Sequence, residues 1–404
     1  MLIGCIADDF TGASDIASFF NKGGLSVVLF NGIPSENKVE NADVYVIALK
    51  TRTLNTSQAV QDSLQAIRWL KNQGAKQYYV KYCSTFDSTP KGNIGPICDA
   101  VLEYLNVQYS ILVPSLPVNG RTVENGHLFV NGVPLDESSM RDHPLTPMWD
   151  SEISNLMKEQ SKYPCHVITQ PIQQEIINSY KSSNNSSRYY LIPDYSTDLH
   201  GENIIKYFGD LKVITGGSGL AEHLGRRYLT DSLTTELAKN NSKTIFLAGS
   251  CSERTREQIA YFKEQGYQSY FIDVLNLKDA KESAKTIWSE IKNKNEDILI
   301  YSSDTSENIQ RNSNSHLISE LIEETLAELS KIAIEDGFTN IIVAGGETSG
   351  AIVKKLGLEA YKIGRSVTPG IPILQPLANT DIRLVLKSGN FGEKDFFIKA
   401  RAYI

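Results

Sequence analysis

Cysteine is too sparse and too scattered in this sequence to hold a fold together covalently. The five are Cys5, Cys83, Cys98, Cys165 and Cys251, an odd number with no C-x-x-C pair. Neither a disulfide framework nor a zinc site follows, and a reducing compartment fits best. Long apolar runs are missing as well, none approaching the ~18 residues that a membrane crossing needs. The opening MLIGCIADDF has no basic n-region and places Asp8 and Asp9 early, so no secretory signal is read there. Positive charge is not in excess: a net charge of −7 argues against a nucleic-acid partner. Two familiar nucleotide signatures are also absent. No G-x-x-x-x-G-K-[ST] occurs, and the nearest approach to a dinucleotide fingerprint, Gly217-Ser218-Gly219, lacks its third glycine. The absences leave a cytoplasmic protein that meets no membrane and no nucleic acid, and they disfavour an NAD-dependent dehydrogenase.

What is present is a regular alternation. Short apolar runs recur at 2–7, 26–30, 44–49, 78–80, 110–113, 166–169, 189–192 and 212–215, and again at 244–248, 269–272, 298–301, 340–344 and 383–386. Helical periodicity separates them: Ala59, Val60, Leu64, Ile67 and Leu70 share one face, as do Leu317, Leu321, Ile322, Leu326, Leu329 and Ala333. The pattern predicts an α/β fold with mostly parallel sheets flanked by helices. A length of 404 residues suits two or three domains. The polar stretch 230–243 reads as a linker, giving domains at 1–235 and 236–404. Residues 182–187 and 302–315 read as surface loops.

Three segments run from an apolar strand through small residues into an amphipathic helix: KVITGGSGLAEHLGRRYL, TIFLAGSCSERTREQI and NIIVAGGETSGAIVKKL. Such turns present unpaired N–H groups and the positive end of a helix dipole to a phosphate. They also exist simply to pack a helix on a strand. In GSCSERTREQI, Ser250 and Glu253 match the capping-box spacing, which leaves Ser252 for a ligand. KSGNFG, from Lys387 to Gly392, is a further glycine-rich turn.

The most informative segment is IADDFTGASDIASFF. Asp8 and Asp9 fall at the end of a buried strand, where one carboxylate can cap the following helix and the other can serve a hydroxyl as general base or bind Mg2+. A second cluster, residues 81–95, gathers Lys81, Asp87, Ser88, Thr89, Lys91 and Asn93 in one loop. Ammonium groups for a carboxylate, with hydroxyl, carboxylate and amide groups for alcohols, suit a polyhydroxy acid. Arg121 and Glu124 lie in a Pro/Gly-rich loop, and Arg141, Asp142 and His143 follow downstream, where a hydrogen-bonded structural role is the plainer reading.

Taken in order, IADDFTGASDIA, KYCSTFDSTPKGNIGP, PSLPVNGRTVENGHLFV, GSCSERTREQI, VAGGETSGAIV and LKSGNFGEKDFF resemble the four-carbon acid sugar kinase family from residue 3 to about residue 400. KYCSTFDST and MRDHPLTPM look most like its 3-oxotetronate 4-kinase branch. The resemblance implies a sugar-acid-binding domain over 1–235, an ATP-binding domain over 236–404 and an active site in the cleft between them. It puts ATP contacts on Ser252, Gly346, Glu347, Thr348, Ser349 and Gly389. The acid is expected at Asp8, Asp9 and the 81–93 loop, with Arg52 and Arg121 as further candidates. Asp9, failing that Asp8, would be the base for phosphoryl transfer from ATP with Mg2+; no metal ligand is assigned. D-threonate, L-threonate or D-erythronate as substrate, or a non-catalytic sugar-acid sensor, are the competing readings. A homo-oligomer stays open.

Overall fold

A strand buried on both faces needs an unbroken apolar run, and a chain of such runs joined by helices closes into a parallel sheet. The computed structural model describes all residues except Met1, 36–38, 143–145, 184–186, 229–236, 238, 241, 292–295, 303–314 and 390. His143, most of the 302–315 loop, the centre of 182–187 and much of the 230–243 linker therefore lie outside the described residues. The chain divides into two compact units, Met1–Thr235 and Glu236–Ile404.

The first unit holds β1 (Ile3–Ala7), β2 (Val27–Asn31), β3 (Val44–Ala48), β4 (Gln77–Lys81), β5 (Tyr109–Val113), β6 (Arg121–Glu124), β7 (His127–Val130), β8 (Val133–Pro134), β9 (Cys165–Ile168), β10 (Tyr189–Pro193) and β11 (Val213–Gly216). Eight of these form a parallel sheet in the order β2-β3-β1-β4-β11-β5-β10-β9. β1, β3, β4 and β10 are buried at every position. β6, β7 and β8 make a separate antiparallel sheet where the Pro/Gly-rich sequence predicts a loop.

Helices α1 (Phe10–Lys22), α2 (Thr56–Asn72) and α3 (Ile94–Tyr104) connect the strands nearest the site. On α2 the buried face is Ala59, Ser63, Ala66, Ile67, Trp69 and Leu70, close to the expected stripe. α1 packs against the helix Ala221–Tyr228 through two glycines. A Cβ on Gly23 would lie 2.6 Å from the Glu222 carbonyl oxygen, and one on Gly225 would lie 3.1 Å from Gly23 Cα. Gly23→Ala is expected to destabilise the protein by about 1–3 kcal/mol, because backbone on both sides blocks relief of the overlap. A lowered urea midpoint with an unchanged m-value would register it.

The second unit holds β12 (Thr244–Ala248), β13 (Gln268–Phe271), β14 (Ile298–Tyr301), β15 (Asn340–Ala344), β16 (Ala360–Thr368), β17 (Ile371–Pro376) and β18 (Arg383–Lys387). The strands follow the order β13-β14-β12-β15-β18-β17-β16, parallel up to β18 and antiparallel beyond it. Phe246, Phe262, Phe396 and Phe397 anchor its core. The helix Ser315–Glu335 buries Ile322, Leu326, Leu329 and Ala333, whereas Leu317 is exposed, against expectation.

Candidate active site

Ala7 pairs with both Ala48 and Lys81, so β3, β1 and β4 end at one level and release three loops side by side. Ligands in open α/β sheets bind at such carboxyl ends, beside the strand where the order reverses. β1 is that strand: the chain runs outward to β2 and β3 and then returns to β4 on its other side.

Asp8 and Asp9 leave β1 there. Asp9 takes an extended backbone (φ −150°, ψ 168°) and caps α1, its Oδ1 accepting from the Gly12 N–H. The loop after β3 brings Arg52 over both carboxylates. Its Nε donates to Asp8 Oδ2 at 2.8 Å and its Nη2 to Asp8 Oδ1 at 3.0 Å, a bidentate pair, while Nη2 also lies 2.7 Å from Asp9 Oδ2. Asp87 Oδ2 stands 3.8 Å from Arg52 Nη1. Burial alone would lower the guanidinium pKa, but Asp8 and Asp9 drive it well above the ordinary arginine value. Its charge is therefore permanent at any working pH.

The loop after β4 supplies Lys81 and Asp87. The Lys81 side chain is buried and its Nζ donates to Tyr82 O at 2.8 Å, leaving the ammonium further N–H bonds to give. Phe86, wholly buried against Tyr82, sits at φ +50°, a left-handed conformation rare for an aromatic residue. Such a backbone persists only where packing over-determines it, and here it turns the chain so that Asp87 faces Arg52. Thr85 Oγ1 fixes the other carboxylate oxygen of Asp87 at 2.6 Å.

Behind Asp8 and Arg52 lies a cavity with Ile6, Leu49, Val80 and Ile97 as apolar wall and Lys81, Asp87, Ser88 and Asn93 as polar lining. Asn93 donates to Thr51 O (2.7 Å) and Leu54 O (2.8 Å), so its amide nitrogen is spent on holding the Arg52 loop; its Oδ1 is buried without a partner. Ser88 donates to Gln160 Oε1 at 3.0 Å. Thr89 Oγ1 accepts from the Lys91 N–H at 3.3 Å, and the Lys91 side chain is exposed. Arg121 lies on β6 and donates to Asn119 O. The structure thus joins Asp8, Asp9, Arg52, Lys81 and Asp87. Ser88 and Asn93 line their cavity, and Thr89, Lys91 and Arg121 show no contact with the cluster.

Sequence reasoning missed Asp15, one turn beyond Gly12 on α1. Its Oδ2 accepts from Ser218 Oγ, and burial pushes its carboxyl up against the pull of Lys81. The signal was available: an aspartate in the run ASDIASFF, whose other residues are apolar or small. Burial also raises the Asp9 carboxyl, with the Asp8 charge adding to it and Arg52 opposing.

In the second unit, β12, β15 and β18 are adjacent and parallel, so their carboxyl ends bring three small-residue turns together. After β12, Ser252 caps the helix Glu253–Glu264: its Oγ accepts from the Thr255 N–H (3.2 Å) and donates to Gly389 O (2.7 Å). The cap is therefore Ser252, not Ser250 as the S-x-x-E spacing suggested; Ser250 instead accepts from the Ser252 N–H. After β15, Gly345 at φ +134° turns the chain into the helix Gly346–Leu356. Gly346 and Glu347 are exposed at its start, while Thr348 and Ser349 are buried beneath. Gly389 follows β18, and any Cβ there would lie 2.4 Å from Ser250 Oγ. The third sequence candidate, Gly217 to Gly219, is a packing turn: it is fully buried, and Cβ atoms there would strike the carbonyl oxygens of Pro114 and Ser115 at 2.4 Å.

Residues 3–224 match the family model described as a sugar-binding N-terminal domain, and residues 245–397 match a nucleotide-binding C-terminal domain. The chain is 40% identical to a 3-oxo-tetronate kinase of Pectobacterium atrosepticum, over 99% of this chain and 98% of that one. A solved structure from Salmonella typhimurium, described as a putative tRNA synthase, superimposes with a TM-score of 0.90 at 36% identity, covering 100% of this chain and 99% of that one. A Haemophilus influenzae structure gives 0.82 at 37% identity, covering 99% of each.

Proposed function

The chain belongs to the four-carbon acid sugar kinase family, and we propose that it transfers the γ-phosphoryl group of ATP to the 4-hydroxyl of 3-oxotetronate. The observation that carries this reading is the convergence of Asp8, Asp9, Arg52 and Lys81 at the ends of β3, β1 and β4, within the segment that matches a sugar-binding domain. A small sugar acid asks of its site a cation for the carboxylate, polar groups for the hydroxyls and a base for the reacting alcohol. Lys81 is the group suited to the carboxylate, because Arg52 is already committed to Asp8 and Asp9. Asn93 Oδ1, lacking a donor, suits a substrate hydroxyl.

Asp9 is the better base of the two. Arg52 grips Asp8 through both carboxylate oxygens but reaches Asp9 only at Oδ2, the other Asp9 oxygen accepting from the Gly12 N–H, and the Asp9 side chain is 34% exposed against 11% for Asp8. Its raised pKa also brings it nearer to the proton it must take. The polyphosphate is assigned to the turns at Ser252, Gly346–Ser349 and Gly389, where two helix N-termini offer N–H groups. Among the described residues no three His, Cys, Asp or Glu side chains gather into a metal cage. Mg2+ would enter on the ATP phosphates, where it would spread the charge of the transferring group.

The test is ADP release from Mg-ATP across 3-oxotetronate, D-threonate, L-threonate and D-erythronate. Turnover confined to the oxo acid is expected. Turnover with only a threonate or erythronate would move the substrate and keep the chemistry. Binding of an acid without ADP release from any of the four would replace the kinase by a sensor.

A further inference from the structure

Lys387 ends β18 with its side chain wholly buried, and sequence reasoning gave it no role. Its Nζ donates to Thr255 Oγ1 (3.0 Å), Ser388 O (3.1 Å) and Gly389 O (2.9 Å). None of the three partners is charged, so no carboxylate balances the ammonium there. Gly389 O is the focus of the arrangement, because Ser252 Oγ and Thr255 Oγ1 also donate to it, at 2.7 and 3.0 Å. The Phe396 ring stands 5.8 Å from the ammonium, and Arg254 on the adjoining helix is a further positive group nearby. Arg254, though paired with Glu257 at 2.9 Å, adds to the positive side, and a buried cation at the positive end of a helix is in the wrong place on its own account. It is in the right place once an anion joins it.

We propose that Lys387 is a positioning residue of the nucleotide site: it fixes the Ser388–Gly389 turn against the helix N-terminus, and its amine is the buried counter-group to the nucleotide phosphates. This rests on the assignment of these three turns to the nucleotide. Burial, with Arg254 adding to it, holds the free amine down to about 7. An anion drawn up beside it raises that value. Between the two values the free protein carries fewer protons than the complex, so binding takes up protons from solution.

Titration of the whole protein with Mg-ADP near pH 8, in two buffers of different ionisation enthalpy, reads this directly in a calorimeter. At that pH the nucleotide's own phosphates are already ionised. The expected result is uptake approaching one proton per nucleotide in the wild-type protein, and near zero in Lys387→Met, with a weakened Mg-ADP affinity. In steady state, Lys387→Met should raise KM for ATP much more than KM for the sugar acid, and Lys387→Arg should recover affinity without the proton uptake. Mg-ADP binding with no proton uptake in the wild-type protein overturns the inference and leaves the kinase reading standing. Undiminished uptake in Lys387→Met overturns it too. Absence of Mg-ADP binding altogether overturns both.

Discussion

Asp9→Asn is expected to lower kcat by roughly 10²–10⁴-fold while costing only about 1 kcal/mol of stability, because the helix cap survives and Arg52 loses one of its two paired carboxylates but keeps Asp8. The separation follows from the two duties of this side chain. As N-cap of α1 it accepts from the Gly12 N–H, and asparagine caps a helix as well as aspartate does. As base it must hold a proton at the moment of transfer, which an amide cannot do. Asp9→Ala removes both duties and should add about 1 kcal/mol of destabilisation to the same rate loss. The pH dependence gives a second reading. Burial raises the Asp9 carboxyl above the usual carboxylate range, and the base works only when ionised. kcat/KM should therefore fall as pH drops through that raised value, and this acid limb should vanish in Asp9→Asn. Near-wild-type turnover in Asp9→Asn combined with a dead Asp8→Asn would hand the role to Asp8.

Much of the parallel architecture was legible because a strand covered on both faces must be apolar throughout. β1, β3, β12 and β15 all stand out as uninterrupted runs. The antiparallel parts were not legible. β17 carries Pro372 and Pro376, which read as breakers, yet Pro376 falls at the strand's last residue and Pro372 beside a register shift against β16. β6, β7 and β8 are two to four residues each and turn at left-handed Asn125, Gly126, Asn131 and Gly132, so glycine and asparagine punctuation concealed them. At the site, a carboxylate pair at a strand end was readable, but the division of labour within it was not. That division depends on where α1 begins and which oxygens Arg52, 44 residues downstream of Asp8, reaches. The Ser250 error has the same origin: Ser250 and Glu253 fit the S-x-x-E pattern, but the helix begins at Glu253 itself, which makes Ser252 the cap. Asp15 and Lys387 escaped because charged side chains are read as surface by default.

Arg52→Met is expected to damage both stability and turnover. It removes a cation that pairs with Asp8 and Asp9 and faces Asp87, and leaves three neighbouring carboxylates without it. Loss of one partner from a buried ion pair costs about 3–5 kcal/mol; with Arg52 one-quarter exposed, about 3 kcal/mol is the expected fall in urea-unfolding stability. The sign of its pH dependence is fixed. Arg52 opposes the rise that burial gives the Asp9 carboxyl, so without it that carboxyl stands higher still, the folded variant binds a proton more readily than its unfolded state, and the deficit shrinks as pH falls through that raised value. Neutralising one member should relieve part of the strain, so Arg52→Met/Asp8→Asn should be less destabilised than the sum of the single variants. Turnover should not return with it. Arg52 also sets where the Asp9 carboxylate points, and misplacing a base by an ångström costs on the order of 10²-fold. Additive stabilities in that cycle would mean that the three carboxylates are screened from one another by water, and that Arg52 is a surface clamp rather than the centre of the site.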